Sequence, residues 1–169
     1  MTRNRAVYAI LWGGLVAGAI DITYAIGFSA ARGVPPMRIL QSVASGLLGS
    51  PAYQGGAATA TLGFVLHFAL MLMIAAIYYF ASTRLRFLVT HPIGWGALYG
   101  FLVYWVMNLV VLPLSAFPSQ VKFVPILLIT SLIVHAFGIG VPIAVASSKA
   151  QAATGAGPGS GLNQNQPAM

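Results

Sequence analysis

The chain has 169 residues, of which 59% are hydrophobic and only 5% are charged, whereas a soluble domain carries about 25% charged residues. This composition excludes a water-soluble globular protein and indicates one compact domain in a lipid bilayer. Cysteine is absent, which excludes disulfide bonds, thiolate metal sites and cysteine nucleophiles. The net charge of +7 comes from basic residues that flank apolar runs, so we interpret them as headgroup anchors and topology signals, not as a nucleic acid surface.

The first apolar run covers residues 6–31 and is long enough to span a membrane. It exceeds the apolar region of about 7–15 residues found in signal peptides, so we expect a retained helix. Gly14 and Gly18 form a GxxxG pair, a spacing that lets another helix approach closely, although glycine is also common in transmembrane helices. The same run holds Asp21, the only acidic residue of the chain. In lipid its side chain must be neutralised, paired or hydrogen-bonded.

A short amphipathic helix is predicted at residues 37–48, because the prolines at 35 and 36 end the first helix. Four polar side chains follow one face of it at helical spacing: Arg38, Gln41, Ser42 and Ser45. About twelve residues are too few to cross a bilayer, so this helix should lie in the interface or pack against the bundle. Residues 51–60 are predicted to be loop.

Three further spans are predicted at residues 62–81, 93–112 and 125–146. Each carries one strongly polar residue: His67, Asn108 and His135, respectively. The third span repeats the GxxxG spacing at Gly96 and Gly100. In the fourth span we expect a kink at Pro142, because proline cannot donate to the carbonyl four residues earlier.

Residues 147–169 contain mainly Gly, Ala, Pro, Gln and Asn, and we predict a disordered tail there. The predicted fold is therefore an all-α integral membrane domain at residues 1–146. It has four transmembrane helices and a short amphipathic interfacial helix between the first and second. Four spans bring both termini to one side, and five basic residues against three favour cytoplasmic termini.

The four polar residues of the spans are predicted to form two layers. At about 1.5 Å per helical residue, Asp21 and His135 lie near the midplane, and His67 and Asn108 lie nearer the outer surface. An ionisable residue at mid-membrane is a functional candidate, whereas buried His and Asn also serve as interhelical hydrogen-bonding groups.

Three functional hypotheses remain open from the residues alone. The first is proton or small-ion handling by Asp21 and the two histidines, since histidine titrates near neutral pH. The second is haem or a metal held by His67 and His135. It is disfavoured by their predicted depth difference of about 7 Å and by the lack of a second carboxylate. We therefore expect no cofactor.

The third hypothesis is a structural or assembly protein without a chemical site, which joins a homo-oligomer or a larger membrane assembly through its glycine faces. An enzyme is the least supported reading, because the sequence has no nucleophile–base–acid set, no paired carboxylates and no phosphate loop. In each case the lipid bilayer is the expected partner.

Four stretches of the chain also suggest a family: GLVAGAIDITYA, RGVPPMRILQSVASGLLG, LHFALMLMIAAIYYF and VMNLVVLPLSA. Together they resemble small bacterial inner-membrane proteins of the YagU type over about residues 8–146. The resemblance implies a four-helix, multi-pass protein of the bacterial inner membrane, in a group without settled biochemistry. It carries over no site residue.

Overall fold

The computed structural model describes residues 2–119 and 124–155, and within those residues the chain is helical and contains no β-strand. Four helices are long and apolar enough to cross a membrane: Asn4–Ala30, Gly56–Arg84, Pro92–Leu114 and Pro125–Ala152. The predicted all-helical class and the four apolar helices of spanning length are thus confirmed.

We number the helices in chain order: α1 (Thr2–Ala30), α2 (Pro36–Leu48), α3 (Gly56–Arg84), α4 (Phe87–Thr90), α5 (Pro92–Val106, continued by Met107–Val111 and Leu112–Leu114) and α6 (Pro125–Ile133, continued by Val134–Gly140 and Val141–Gly155). Helix α1 packs against α3 and α6, and α6 also packs against α5. One end of the bundle, the loop end, carries α2 and the connection after α5. The opposite end, the terminal end, carries α4 and the first and last described residues.

Helix α3 begins at Gly56, so the prediction of loop over residues 51–60 is wrong. Residues Ser50–Gln54 form a 3₁₀ turn, and Gly56, with a φ of +58°, redirects the chain into the helix. The hydroxyl of Thr59 donates to the carbonyl oxygen of Ala52 at 2.6 Å and ties the turn to the first helical residues. The Gly-Gly pair suggested loop, but alanines follow it, and alanine favours helix.

Helix α6 continues to Gly155, so the predicted tail does not begin at residue 147. Polar side chains that suggested disorder are used in contacts: Ser147 is buried, and the hydroxyl of Ser148 donates to the carbonyl of Val89 at 2.9 Å. The amide of Gln151 donates to the hydroxyl of Ser82 at 2.6 Å. The rest of the predicted tail, 156–169, lies outside the described residues.

Helix α2 occupies Pro36–Leu48, close to its predicted bounds, and it packs against α3. Its polar face turns toward the protein: Gln41 and Ser45 are buried, while Met37, Leu47 and Leu48 are exposed. The amide of Gln41 donates to the carbonyl of Gly56 at 3.1 Å. A Cβ atom at Gly63 would overlap the carbonyl of Leu40, so α2 and α3 meet backbone to backbone.

Both predicted glycine pairs lie at close helix contacts. A Cβ atom at Gly14 would lie 2.8 Å from Leu72, and one at Gly18 would lie 2.8 Å from Phe68. A Cβ atom at Gly96 would lie 2.8 Å from the carbonyl oxygen of Gly140, and one at Gly100 would overlap the carbonyl of His135. The first pair therefore joins α1 to α3, and the second joins α5 to α6.

The last two spans each contain a π-helical segment, Met107–Val111 in α5 and Val134–Gly140 in α6. Each segment ends two residues before a proline, Pro113 or Pro142. A proline has no N–H to donate to the carbonyl four residues earlier, and its ring crowds that carbonyl. A widened helical turn relieves both the missing hydrogen bond and the crowding. The irregularity expected at Pro142 therefore takes the form of a widened turn, and sequence analysis did not anticipate its counterpart in α5.

An apolar core fills the bundle between Asp21 and the terminal end. Its buried residues come from α1, α3, α5 and α6: Ala17, Met71, Ile74, Ala75, Tyr78, Val103, Ile139, Ile143 and Ala144. The hydroxyl of Tyr99 donates to the carbonyl of Ile74 at 2.8 Å beside this core. The core closes the terminal half of the bundle, and the polar residues lie directly beyond it.

Candidate functional site

Asp21 lies one helical turn beyond the apolar core, and its side chain is 17% exposed. Two histidines from two other spans flank its carboxyl group. Nδ1 of His67 lies 4.0 Å from Oδ2 of Asp21, and Nδ1 of His135 lies 4.0 Å from Oδ1. Three helices thus bring the only carboxylic side chain of the protein between two imidazoles, one facing each oxygen. These distances exceed a direct hydrogen bond and suit one bridging water.

A backbone contact fixes the orientation of the His67 ring. Its Nε2 lies 2.9 Å from the carbonyl oxygen of Gly18, one turn before Asp21 on α1. Because a carbonyl oxygen only accepts, Nε2 must carry a proton, and Nδ1 of the neutral ring then presents a lone pair to Asp21. The edge-on contact with Phe68, with ring centroids 5.2 Å apart, holds the same orientation.

The His135 ring is held by its own helix and by α5. Its Nδ1 donates to the carbonyl of Ser131 at 2.9 Å, so the nitrogen nearest Asp21 is a proton donor. Tyr104 meets the ring edge-on, with centroids 5.1 Å apart. His135 lies in the π-helical segment of α6, and its backbone carbonyl packs against Gly100 of α5. Segments of this kind occur often at functional sites.

The predicted separation into two layers is wrong, because His67 lies in the layer of Asp21 and His135. The prediction started the second span at residue 62, whereas α3 begins at Gly56. Counted from Gly56, His67 lies about 16 Å into its helix, at the depth of Asp21 and His135. The expected partner of His67, Asn108, instead donates from Nδ2 to the carbonyl of Tyr104 at 2.8 Å.

The shared depth removes one argument against a metal at the two histidines, but the ligand geometry does not favour one. Nε2 of His67 and Nδ1 of His135 both face backbone carbonyls. In residues 2–119 and 124–155, no three His, Asp or Glu side chains are arranged to hold a metal ion.

Hydroxyl groups beside the histidines extend the polar layer toward the loop end, and sequence analysis did not identify them. Tyr24 OH lies 2.6 Å from Oγ1 of Thr130 and 3.2 Å from Oγ of Ser131. The Thr130 hydroxyl donates to the carbonyl of Ile126 at 2.7 Å, so Tyr24 is the donor to Thr130. Tyr24 follows Asp21 by three residues and Ser131 precedes His135 by four, a spacing that places each on the same helix face.

Two cavities flank the Asp21 carboxyl group. One, of about 380 Å³, is bordered by α1, α2, α5 and α6. The other, of about 400 Å³, is bordered mainly by α2, α3 and α5. Asp21, Ser42 and His135 line both of them.

The two cavities extend toward the loop end of the bundle. The first also contacts Asn108 and reaches Val124, which precedes α6. The second reaches Ser115 and Phe117, which follow α5. Both cavities therefore border the carboxyl group on its loop-end side, and the second also borders the core residues Met71, Ile74 and Val103.

Comparison with known proteins adds no assignment: no protein-family model matches the chain, and no curated protein or solved structure is significantly similar to it. The resemblance to YagU-type proteins therefore stays a prediction.

Proposed function

We propose that this multi-pass membrane protein binds and releases a proton at Asp21, and that His67 and His135 exchange or stabilise that proton. One observation carries the proposal. The only carboxylic side chain of the chain lies between the Nδ1 atoms of two histidines from different spans, at 4.0 Å from each. An ionisable residue inside a membrane bundle is expensive and commonly marks a proton or ion pathway.

The hydrogen-bond pattern gives the proton a defined place. Oδ2 of ionised Asp21 and Nδ1 of neutral His67 are both acceptors, and two facing lone pairs in a low-dielectric site are unfavourable. One proton between them removes the conflict, because either atom then donates to the other through one water. On the opposite side, the Nδ1–H of His135 is donated to the carbonyl of Ser131, and its ring lies 4.0 Å from the second oxygen, so a protonated His135 ring would stabilise the ionised form through its charge.

The cavities suggest the route of proton exchange. Water in either cavity can contact Asp21 from the loop end, while the core residues separate it from the terminal end. We infer a state of the site that is open toward the loop end. Release toward the other side requires the helices around the core to move.

We further propose that the loop end faces outward and that the protein belongs to the bacterial inner membrane. Among the described residues, the terminal end carries Arg3, Arg5, Arg84, Arg86 and Lys149, and the loop end carries Arg32 and Arg38. Lys122 lies outside the described residues. Basic residues accumulate on the cytoplasmic side of membrane proteins. Protons would then enter the site from the outer compartment.

Proton flux into liposomes tests the proposal. The protein is reconstituted into vesicles that contain a pH-sensitive dye, and a pH gradient is imposed with the membrane potential clamped. We expect the Asp21→Asn variant to reduce the protein-dependent flux by a factor of roughly 10² or more, the scale of a lost proton-transfer group. The matched control is His91→Gln, which changes an exposed histidine outside the site. Equal flux in wild type and Asp21→Asn would refute the proposal.

A second candidate function is that of a structural or assembly protein, in which the polar layer only aligns the helices. The backbone contacts of His67 and His135 favour it, because buried histidines often serve as interhelical hydrogen-bonding groups. On this hypothesis the Asp21→Asn variant leaves both the proton flux and the phenotype of the host unchanged.

A further inference from the structure

A second concave surface lies between α1 and α6 in the terminal half of the bundle, on the other side of the core from Asp21. This groove has a volume of about 570 Å³. Asn4, Arg5 and Lys149 lie at its mouth, and Tyr8, Trp12 and Val145 are among the apolar residues along its length. It therefore combines a basic mouth with an apolar channel that is open to the side.

The charge at the mouth selects an anionic group. Arg5 and Lys149 belong to different helices and converge on the same end of the groove. The only acidic side chain of the protein, Asp21, follows Arg5 by about 24 Å along α1. Two basic side chains from different helices therefore favour a negatively charged group at the mouth.

The dimensions and side chains suit one leaflet of a bilayer. From Arg5 to Val16 the groove follows α1 for about 16 Å, roughly half of a hydrocarbon core of about 30 Å. The small side chains of Ala9 and Ala146 leave room between the helices. Tyr8 follows Arg5 by three residues and lies near the mouth, where aromatic residues commonly mark the headgroup level. The ring of Trp12, 6.1 Å from that of Tyr8 between centroids, lies deeper in the groove.

We propose that this groove binds one anionic glycerophospholipid from the leaflet at the terminal end. Its phosphate contacts Arg5 and Lys149, and one acyl chain lies along Tyr8, Trp12 and Val145. The headgroup supplies the negative charge that the mouth selects, and the acyl chain covers apolar surface that α1 and α6 leave uncovered.

Lipid titration of the full chain tests this site. The protein is stripped of lipid in a neutral detergent and titrated with phosphatidylglycerol or with phosphatidylcholine of the same acyl chains, and bound lipid is counted by native mass spectrometry. We expect one phosphatidylglycerol to bind in preference to phosphatidylcholine. Replacing both cations (Arg5→Gln with Lys149→Gln) should weaken its binding about thirtyfold, as for two lost basic contacts at a membrane surface.

The matched control is the pair Arg84→Gln with Arg86→Gln, which removes the same charge at the same end but outside the groove. This control should bind phosphatidylglycerol like the wild type, and Trp12→Ala should weaken binding although no charge is lost. Melting curves without lipid establish that each variant is folded. Equal losses in the two double variants would indicate diffuse attraction and overturn the proposal. So would equal binding of phosphatidylcholine, or displacement of the lipid by glycerol phosphate, which has the headgroup chemistry without the chains.

Discussion

At the scale of single residues, the carboxyl group of Asp21 needs polar partners inside the bundle, and its neighbours supply them. A lone charge at this depth costs roughly 2.5–3.5 kcal/mol on the mildest insertion scale. The rings of His67 and His135 lie 4.0 Å from different oxygens of its carboxyl group. The neutral carboxyl can therefore donate to His67 through one water, and the ionised carboxylate is stabilised wherever either ring is protonated. A carboxyl group that is stable in both forms is what reversible proton binding requires.

The pairing of Asp21 with His135 is testable by a double-mutant cycle. Asp21→Leu and His135→Leu should each destabilise the protein in detergent, because each leaves a buried polar partner behind. The double variant should cost less than the sum, with an interaction energy of about 0.5–2 kcal/mol. Denaturant titrations in mixed micelles give these values. The same cycle between Asp21 and the exposed His91 serves as a control that should be additive, and additivity in the Asp21–His135 cycle would show that the two do not interact.

At the scale of helices, glycines set the distances on which the site depends. Gly100 lets α5 contact the backbone of α6 at His135, and Gly63 lets α2 contact α3 at Leu40. The contact between α5 and α6 positions the imidazole of His135. The contact between α2 and α3 holds α2 where its Ser42 lines both cavities. Packing of small residues thus has a chemical consequence, because it determines where the polar groups meet.

Gly100→Ala is predicted to displace His135. The added methyl group meets the carbonyl of His135, a backbone atom that cannot rotate away, and overpacking of this kind costs about 1–3 kcal/mol. Gly94→Ala in the same helix is the matched control, since its Cβ atom would meet nothing within 4 Å. Unfolding in detergent should separate the two variants, and equal stabilities would contradict the close contact between α5 and α6.

The sequence predicted the spans well and the positions of their ends less well. Continuous apolar runs identify the spans because lipid requires them, and no comparable requirement fixes where a helix begins among Gly, Ala and Ser. The start of α3 depends on the Thr59–Ala52 hydrogen bond, and the extension of α6 depends on Ser148 and Gln151. These are tertiary contacts that local patterns do not contain. The late start predicted for α3 is what placed His67 in a different layer from Asp21.

At the scale of the whole molecule, the bundle is asymmetric along its axis. The polar groups around Asp21 and most residues that line its two cavities lie toward the loop end, although the second cavity also borders the core residues Met71, Ile74 and Val103. The apolar core and the groove between α1 and α6 occupy the half toward the terminal end. Helix α2 covers the open half and exposes Met37, Leu47 and Leu48.

Reporter fusions test the orientation of this asymmetric bundle. A reporter fused after Lys149 and one inserted at the 85–91 connection should both report the cytoplasm, because the basic residues of the terminal end favour that side. A reporter inserted at Ser50–Gln54 should report the opposite compartment. Signals from one compartment at all three positions would contradict the four-span arrangement, and a reversed pattern would contradict the proposed orientation alone.

The central claim, that Asp21 exchanges a proton with two histidines, is tested most directly by infrared spectroscopy of the protein in lipid as the pH is varied. Asp21 is the only Asp or Glu in the chain, so the C=O band of a protonated side-chain carboxyl belongs to it alone. Subtracting the spectrum of the Asp21→Asn variant removes the signal of the C-terminal carboxyl group. The account predicts a band that rises and falls with pH, and whose pH dependence changes in His67→Gln and His135→Gln but not in His91→Gln. A band that is constant with pH, or one that titrates identically in all three variants, would contradict it.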